Sequence, residues 1–257
     1  MFSTEKRCIY RNNQLGEVIC QLRFPEILSI QATLPAKFQD AIRDAFPRYT
    51  MRKEKAAPKL SGEPGNMRFQ QQEQINNYQF SSEDGVWRVN LTSSFISLAT
   101  SRYECWEDFA ARLDQPLAAF IQIYKPACFD RIGLRYLNFI SRSKLGLEGV
   151  PFRDMIEPAY LGLLQEEDVF EGNVTRSGVD AELAVRDGCR LKLHAGPGKV
   201  TIGGNSDPEV KFILDLDLYT ANKTPVSHVA GALQALHGQA YSVFRGAITD
   251  TLHDAMV

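Results

Sequence analysis

The chain has 257 residues, 44% of them hydrophobic and 23% charged, which is the composition of a folded globular protein and excludes the polar, highly charged signature of disorder. A formal net charge of -2 argues against a surface built throughout to hold phosphates. Residues 1–10 lack the apolar core of a secretion signal, and no run approaches the roughly 18–20 apolar residues that span a bilayer, so the expected location is the cytoplasm, with no membrane partner. The five cysteines, Cys8, Cys20, Cys105, Cys128 and Cys189, are odd in number and form no C-x-x-C pair, which suggests neither a disulfide framework nor a zinc site.

Residues 17–24 alternate, with Val18, Cys20, Leu22 and Phe24 on one side, and read as a half-buried strand closed by Pro25. Pro35 opens a helix whose apolar positions Phe38, Ile42, Ala45 and Phe46 recur up to Pro47. Residues 48–66 carry Arg48, Arg52, Lys53, Lys55 and Lys59 among prolines without hydrophobic periodicity, and read as a mobile loop. Residues 78–92 form a hairpin around Glu83-Asp84-Gly85, and residues 95–100 add a strand. The stripe Trp106, Phe109, Leu113, Leu117, Phe120 and Tyr124 is helical, with Pro116 expected to kink it or to divide it at an Asp114 cap.

Residues 129–140 are strongly β-prone, 151–165 look like short helix and turn, and 174–185 alternate again up to the turn Arg186-Asp187-Gly188. Cys189, Leu191 and Leu193 mark the next strand, and Val210, Phe212, Leu214, Leu216 and Leu218 a longer one. Thr224 and Pro225 open a final helix whose stripe runs from Leu233 through Leu252.

The expected class is therefore α+β: antiparallel sheet with two long helices packed on one side. Residues 1–125 and 126–257 follow one order of elements, which suggests duplication of a β-α-β-β-β-α unit packed as one compact body. One continuous sheet without symmetry is the alternative.

Four segments carry a resemblance: VICQLRFP at 18–25, RIGLRYLNFI at 131–140, FILDLDLYT at 212–220 and LHGQAYSVFRGAITDTLHDAM at 236–256. Together the chain resembles a sporadically distributed bacterial family of about 260 residues with no assigned activity. That resemblance implies a bacterial cytoplasmic protein of patchy distribution, as accessory or genome-defence genes often are. It carries over no catalytic residue.

Three functional readings follow. A noncatalytic accessory or regulatory protein, binding another protein, a further copy of itself or a small ligand and needing no cofactor, fits a well-organised chain with no complete catalytic set. A nucleic-acid binder would use Arg48, Arg52, Lys53, Lys55, Lys59 and Arg68, with Arg23, Arg88 and Arg135 projecting from outer strand faces. A metal-dependent enzyme resembling nucleotidyltransferases would use Gly203-Gly204 and then Asp215 and Asp217, which alternation places on one strand face to bind a divalent metal.

Against that last reading, no preceding helix or third carboxylate strand is visible, and Arg190, Lys192 or Lys211 are expected to pair with the two acids across the sheet. Asp180, Glu182 and His194 are candidates to join the same face, His194 as a metal ligand. His228, His237 and His253 lack i, i+4 spacing, and His237 reads as a core-edge residue making one hydrogen bond. Ser206, Ser227 and Ser242 lack a nucleophile-elbow context.

Overall fold

A computed structural model describes residues 1–55, 60–61, 68–69, 74–202 and 205–257. In chain order the elements are β1 (Leu15–Arg23), α1 (Leu28–Ala32), α2 (Ala36–Ile42), β2 (Arg48–Lys55), the short pair β3 (Leu60–Ser61) and β4 (Arg68–Phe69), β5 (Gln74–Ser81), β6 (Trp87–Leu91), β7 (Phe95–Thr100) and α3 (Trp106–Tyr124). Then come β8 (Arg131–Ile140), α4 (Arg142–Leu145), several single helical turns, β9 (Val179–Ala184), β10 (Cys189–Ile202), β11 (Asn205–Thr220), α5 (Val229–Arg245) and α6 (Asp250–Met256). Nine strands form one antiparallel sheet in the order β2-β5-β6-β7-β1-β8-β11-β10-β9. In each half the first strand sits centrally and pairs with the last strand before the half's longest helix, and the remaining strands step outward.

Side-chain alternation sorts the two faces. One register row, Tyr49-Phe80-Val89-Leu98-Cys20-Leu134-Leu218-Leu191-Leu183, crosses all nine strands. Its inner seven members, from Phe80 to Leu191, are completely buried. Helices cover this face: α3 packs on β7 and α2, and α5 lies over β8 and β11. Phe120 of α3 meets Phe24 and Phe129 in one aromatic group, where tilted and edge contacts add to the area buried. Burial pushes the Cys20 thiol up to about 12, so it is an inert core residue, and the buried Cys189 thiol is raised by the same cause. All five cysteines are free. Among the described residues, no helix is long and apolar enough to cross a membrane.

Four local expectations are corrected. Residues 48–55 form the edge strand β2 and not a loop; Tyr49 and Met51 alternate with Arg48, Thr50 and Arg52, but at an edge both stay partly exposed, so the hydrophobic signal is faint. Helix α3 is one helix through Pro116 and is not divided at Asp114, because burial of Phe109, Leu113, Leu117 and Phe120 outweighs one lost backbone hydrogen bond. Thr224 does not cap a helix: it pairs backbone to backbone with Phe129, and α5 begins at Val229 after a single turn.

The last helix, finally, is two. Residues 247–249 pair with 155–157 through Glu157 N–H to Ala247 C=O and Thr249 N–H to Met155 C=O, which diverts the backbone from helical bonding. Arg245 secures the corner by donating to the Ile248 carbonyl, to Glu5 at 2.7 Å and to Asp250 at 2.6 Å.

Between α3, α5 and the sheet lies His237, 6% exposed, with the Trp106 ring stacked on it at 4.6 Å and its Nδ1 2.9 Å from the Tyr136 hydroxyl. Burial lowers its pKa from 6.5 to about 4, so it folds as the neutral imidazole. An unfolded chain then binds a proton that the folded one does not, and stability present above pH 6.5 is lost as pH falls towards 4. The expected loss is at most about 3 kcal/mol. Urea unfolding of His237→Gln, compared with the parent at several pH values, should show a flatter dependence in this window; identical slopes would remove the assignment.

Candidate functional site

Among the described residues no long helix packs on the other face of the sheet, and its register rows are largely polar. The row Arg48-Ser81-Arg88-Ala99-Ile19-Arg135-Asp217-Lys192-Glu182 runs parallel to the apolar row on the opposite face. Beside it, Glu17-Leu137-Asp215-His194-Asp180 crosses β1, β8, β11, β10 and β9. The structure therefore brings Asp215, Asp217, His194, Asp180 and Glu182 to one face, together with Arg23, Arg88 and Arg135.

The two central carboxylates are held by arginines of β8. Arg135 donates Nε and Nη2 to Asp215 at 2.7 and 2.5 Å, and Arg131 donates to both oxygens of Asp217 at 3.0 and 2.8 Å. Asp215 hydrogen-bonds hold the Arg135 guanidinium above its ordinary pKa. Arg131 also lies over the Tyr219 ring, 4.3 Å from its centroid. Gly133 makes this possible, since a Cβ there would stand 2.3 Å from Arg131 Nη1. Tyr219 in turn donates its hydroxyl to Glu182, which lowers the Glu182 pKa.

This corrects the expected partners. Lys192 stands opposite Asp217 in register but leans to Glu182 at 4.0 Å, Arg190 reaches the same Glu182 at 3.8 Å, and Lys211 is buried against Asp207. The Arg135 guanidinium meets Asp215 with two parallel bonds from two nitrogens, which an ammonium cannot do, while Arg131 reaches both Asp217 oxygens through Nη2 alone. Arg131 and Tyr219 were absent from the sequence candidates; the signal was the alternation Arg131-Gly133-Arg135 opposite Leu134 and Tyr136.

His194 donates its Nδ1–H to the Asp180 carboxylate at 2.8 Å. Among the described residues no three His, Cys, Asp or Glu side chains converge to hold a metal ion. A divalent cation at Asp215 and Asp217 would have to displace both arginines. Gly203 and Gly204 lie outside the described residues, so their place beside the acids is not part of the geometry.

The basic segment is spread out. Arg48 pairs with Glu83 at 2.6 Å, and Arg52 and Lys53 occupy successive positions of β2 and so point to opposite faces. Lys55 closes β2 and Arg68 belongs to β4, while Lys59 lies outside the described residues.

Two shallow basins share Arg135, Lys192 and Asp217: one, of about 500 Å³, extends to Asp180 and His194, the other, of about 460 Å³, to Arg23, Arg131 and Tyr219. No protein-family model and no curated protein matches the chain.

The ion pair between Arg131 and Asp217, each about a quarter exposed, should show a coupling of about 1 kcal/mol in a double-mutant cycle of Arg131→Ala and Asp217→Asn read by urea unfolding. Placing Gly133→Val in the same cycle should abolish most of that coupling by pushing the guanidinium aside; an unchanged value would show that the glycine plays no part.

Proposed function

We propose that the protein is a noncatalytic binding module whose uncovered sheet face receives the surface of another protein. The observation that carries this reading is the balanced, in-register set of charges on that face. Acids and bases alternate across β8, β11, β10 and β9, and Arg131 and Arg135 at its centre are already matched to carboxylates. A phosphate backbone calls for cations without such partners, and a protein surface of mixed charge calls for the alternation.

Among the described residues, Arg23 donates to Gln21 at 2.9 Å and has no ion pair, and the pair of Lys192 with Glu182, at 4.0 Å, is the longest on this face. They are the groups an incoming acidic side chain would meet first. The nucleic-acid reading rests on Arg52, Lys53 and the residues beyond them, and the metal-dependent reading on Asp215 and Asp217. The occupied arginine forks favour neither. The accessory or defence context, and the bacterial cytoplasmic setting, are implied by the family resemblance. The like order of strands in the two halves supports an internal duplication, with β2 as an additional edge strand in the first half.

Affinity capture from the source cells should separate these readings. A protein should be retained at low salt by the parent chain and by the control Lys37→Glu on α2, and lost with Arg23→Glu/Lys192→Glu. Retention of the same set by all three would end the reading. Retained material that disappears after nuclease treatment would transfer the function to nucleic acid.

A further inference from the structure

On the uncovered face, opposite charges gather at opposite corners. The basin towards β1 is lined by the cations Arg23, Arg131, Arg135 and Lys192 against Asp217 alone. The basin towards β9 is lined by the acids Asp180, Glu182, Asp215 and Asp217 against Arg135 and Lys192. Register fixes where the two extremes stand. Arg23 pairs with Arg131 at the end of β1, whereas Asp180 lies in the row of Glu17, on the far edge strand β9. From Glu17 to Arg23 is about 20 Å along the strand and from β1 to β9 about 19 Å across, so the corners are about 28 Å apart. Both corner groups keep free capacity. Arg23 donates Nε to the Gln21 side chain at 2.9 Å and has no ion pair among the described residues. Asp180, its side chain 80% exposed, accepts one hydrogen bond, from His194 at 2.8 Å.

We propose that the protein received by this face is a second copy of the same chain, docked about a two-fold axis so that Arg23 of each copy meets Asp180 of the other. This rests on the protein-docking role of the face and names its occupant. A two-fold interface sets one patch against itself, so it is favourable only where the patch carries its own complement. A face of one sign repels its copy, but a face with cations at one corner and acids at the opposite corner attracts it when turned over. An axis in the plane of the contact, passing between Asp217 and Tyr219 of β11 and across the line joining the corners, achieves this. It lays Arg23 and Arg131 over Asp180 and Glu182 of the other copy, and symmetry supplies the reverse contact. Near the axis, Arg135 is already matched by Asp215, so the copies bring no unmatched charge together there. A disc about 28 Å across covers about 600 Å² on each copy, which is the lower end of what a specific interface buries. The contact is accordingly weak, and its decisive charges lie at the rim, where salt screens them.

Sedimentation velocity of the full chain, from about 1 to about 200 µM, tests this. At about 50 mM salt the parent should dimerise with a Kd on the order of 10 µM, and about 0.5 M salt should weaken the dimer about tenfold or more. Arg23→Glu alone and Asp180→Lys alone should each stay monomeric, because each sets like charges together at both contacts. Mixed in equal amounts, the two variants should dimerise as the parent does, since every contact again joins opposite charges. Both positions are exposed, so neither substitution disturbs the core. A parent that stays monomeric at low salt overturns the proposal, as does a dimer indifferent to either substitution or a pair of variants that does not recover on mixing. That failure is distinct from failure of the docking role itself: affinity capture that still retains a protein of different mass through Arg23 and Lys192 would leave the face a docking surface with another occupant.

Discussion

The pairing of β1 with β8 is the contact on which the rest of the molecule depends. It is the seam between residues 1–125 and 126–257, and it sets Val18, Cys20 and Leu22 of one half opposite Tyr136, Leu134 and Ile132 of the other. Because side chains alternate with a period of two, a slip by one residue here would turn every apolar position of one half towards water and every charged one towards the helices. The seam is reinforced on both sides, as β7 continues β1 and β11 continues β8 with the same rows. A single register therefore assembles the core under α3 and α5 and, by the same alternation, the charged surface on the reverse.

Much of this architecture was legible in the alternation of Val18-Cys20-Leu22, of Leu134-Tyr136 and of Leu214-Leu216-Leu218, because central strands covered by helices need strong apolar contrast. What was hidden follows from weak contrast or from distance in sequence. Edge strand β2 is flanked by one neighbour only, so Tyr49 and Met51 remain partly exposed and its cations look like those of a loop. Such cations are also how an edge resists pairing with a stray strand. The break before α6 depends on backbone bonds with residues 155–157, some ninety positions earlier, and nothing within 245–250 announces them.

The charged face was half readable. Period two places Asp215 and Asp217 together, and likewise Arg131 and Arg135, but only the strand order makes β8 the neighbour of β11 and so matches arginine to aspartate. What arginine adds over Lys192 is its flat group: Arg131 reaches both Asp217 oxygens through Nη2 while the rest of the guanidinium lies over the Tyr219 ring. Gly133 is part of the same device, since its missing side chain is the space through which Arg131 lies back along the strand. Such pairs stiffen a surface more than they stabilise a fold, because each ion remains partly hydrated. A face already held in one arrangement would lose less side-chain freedom on binding, which is why the same pairs matter to the proposed role.

His237 shows why the two faces make different demands. On the open side, Asp215 and His194 can stay polar because water reaches what their partners do not. On the helical side the imidazole has no such recourse: Trp106 covers its flat surface, Tyr136 takes one nitrogen, and desolvation keeps the ring uncharged. An aliphatic residue at this position would pack without cost to solvation, so the histidine is unfavourable for stability at acidic pH and leaves a polar atom unmet at any pH.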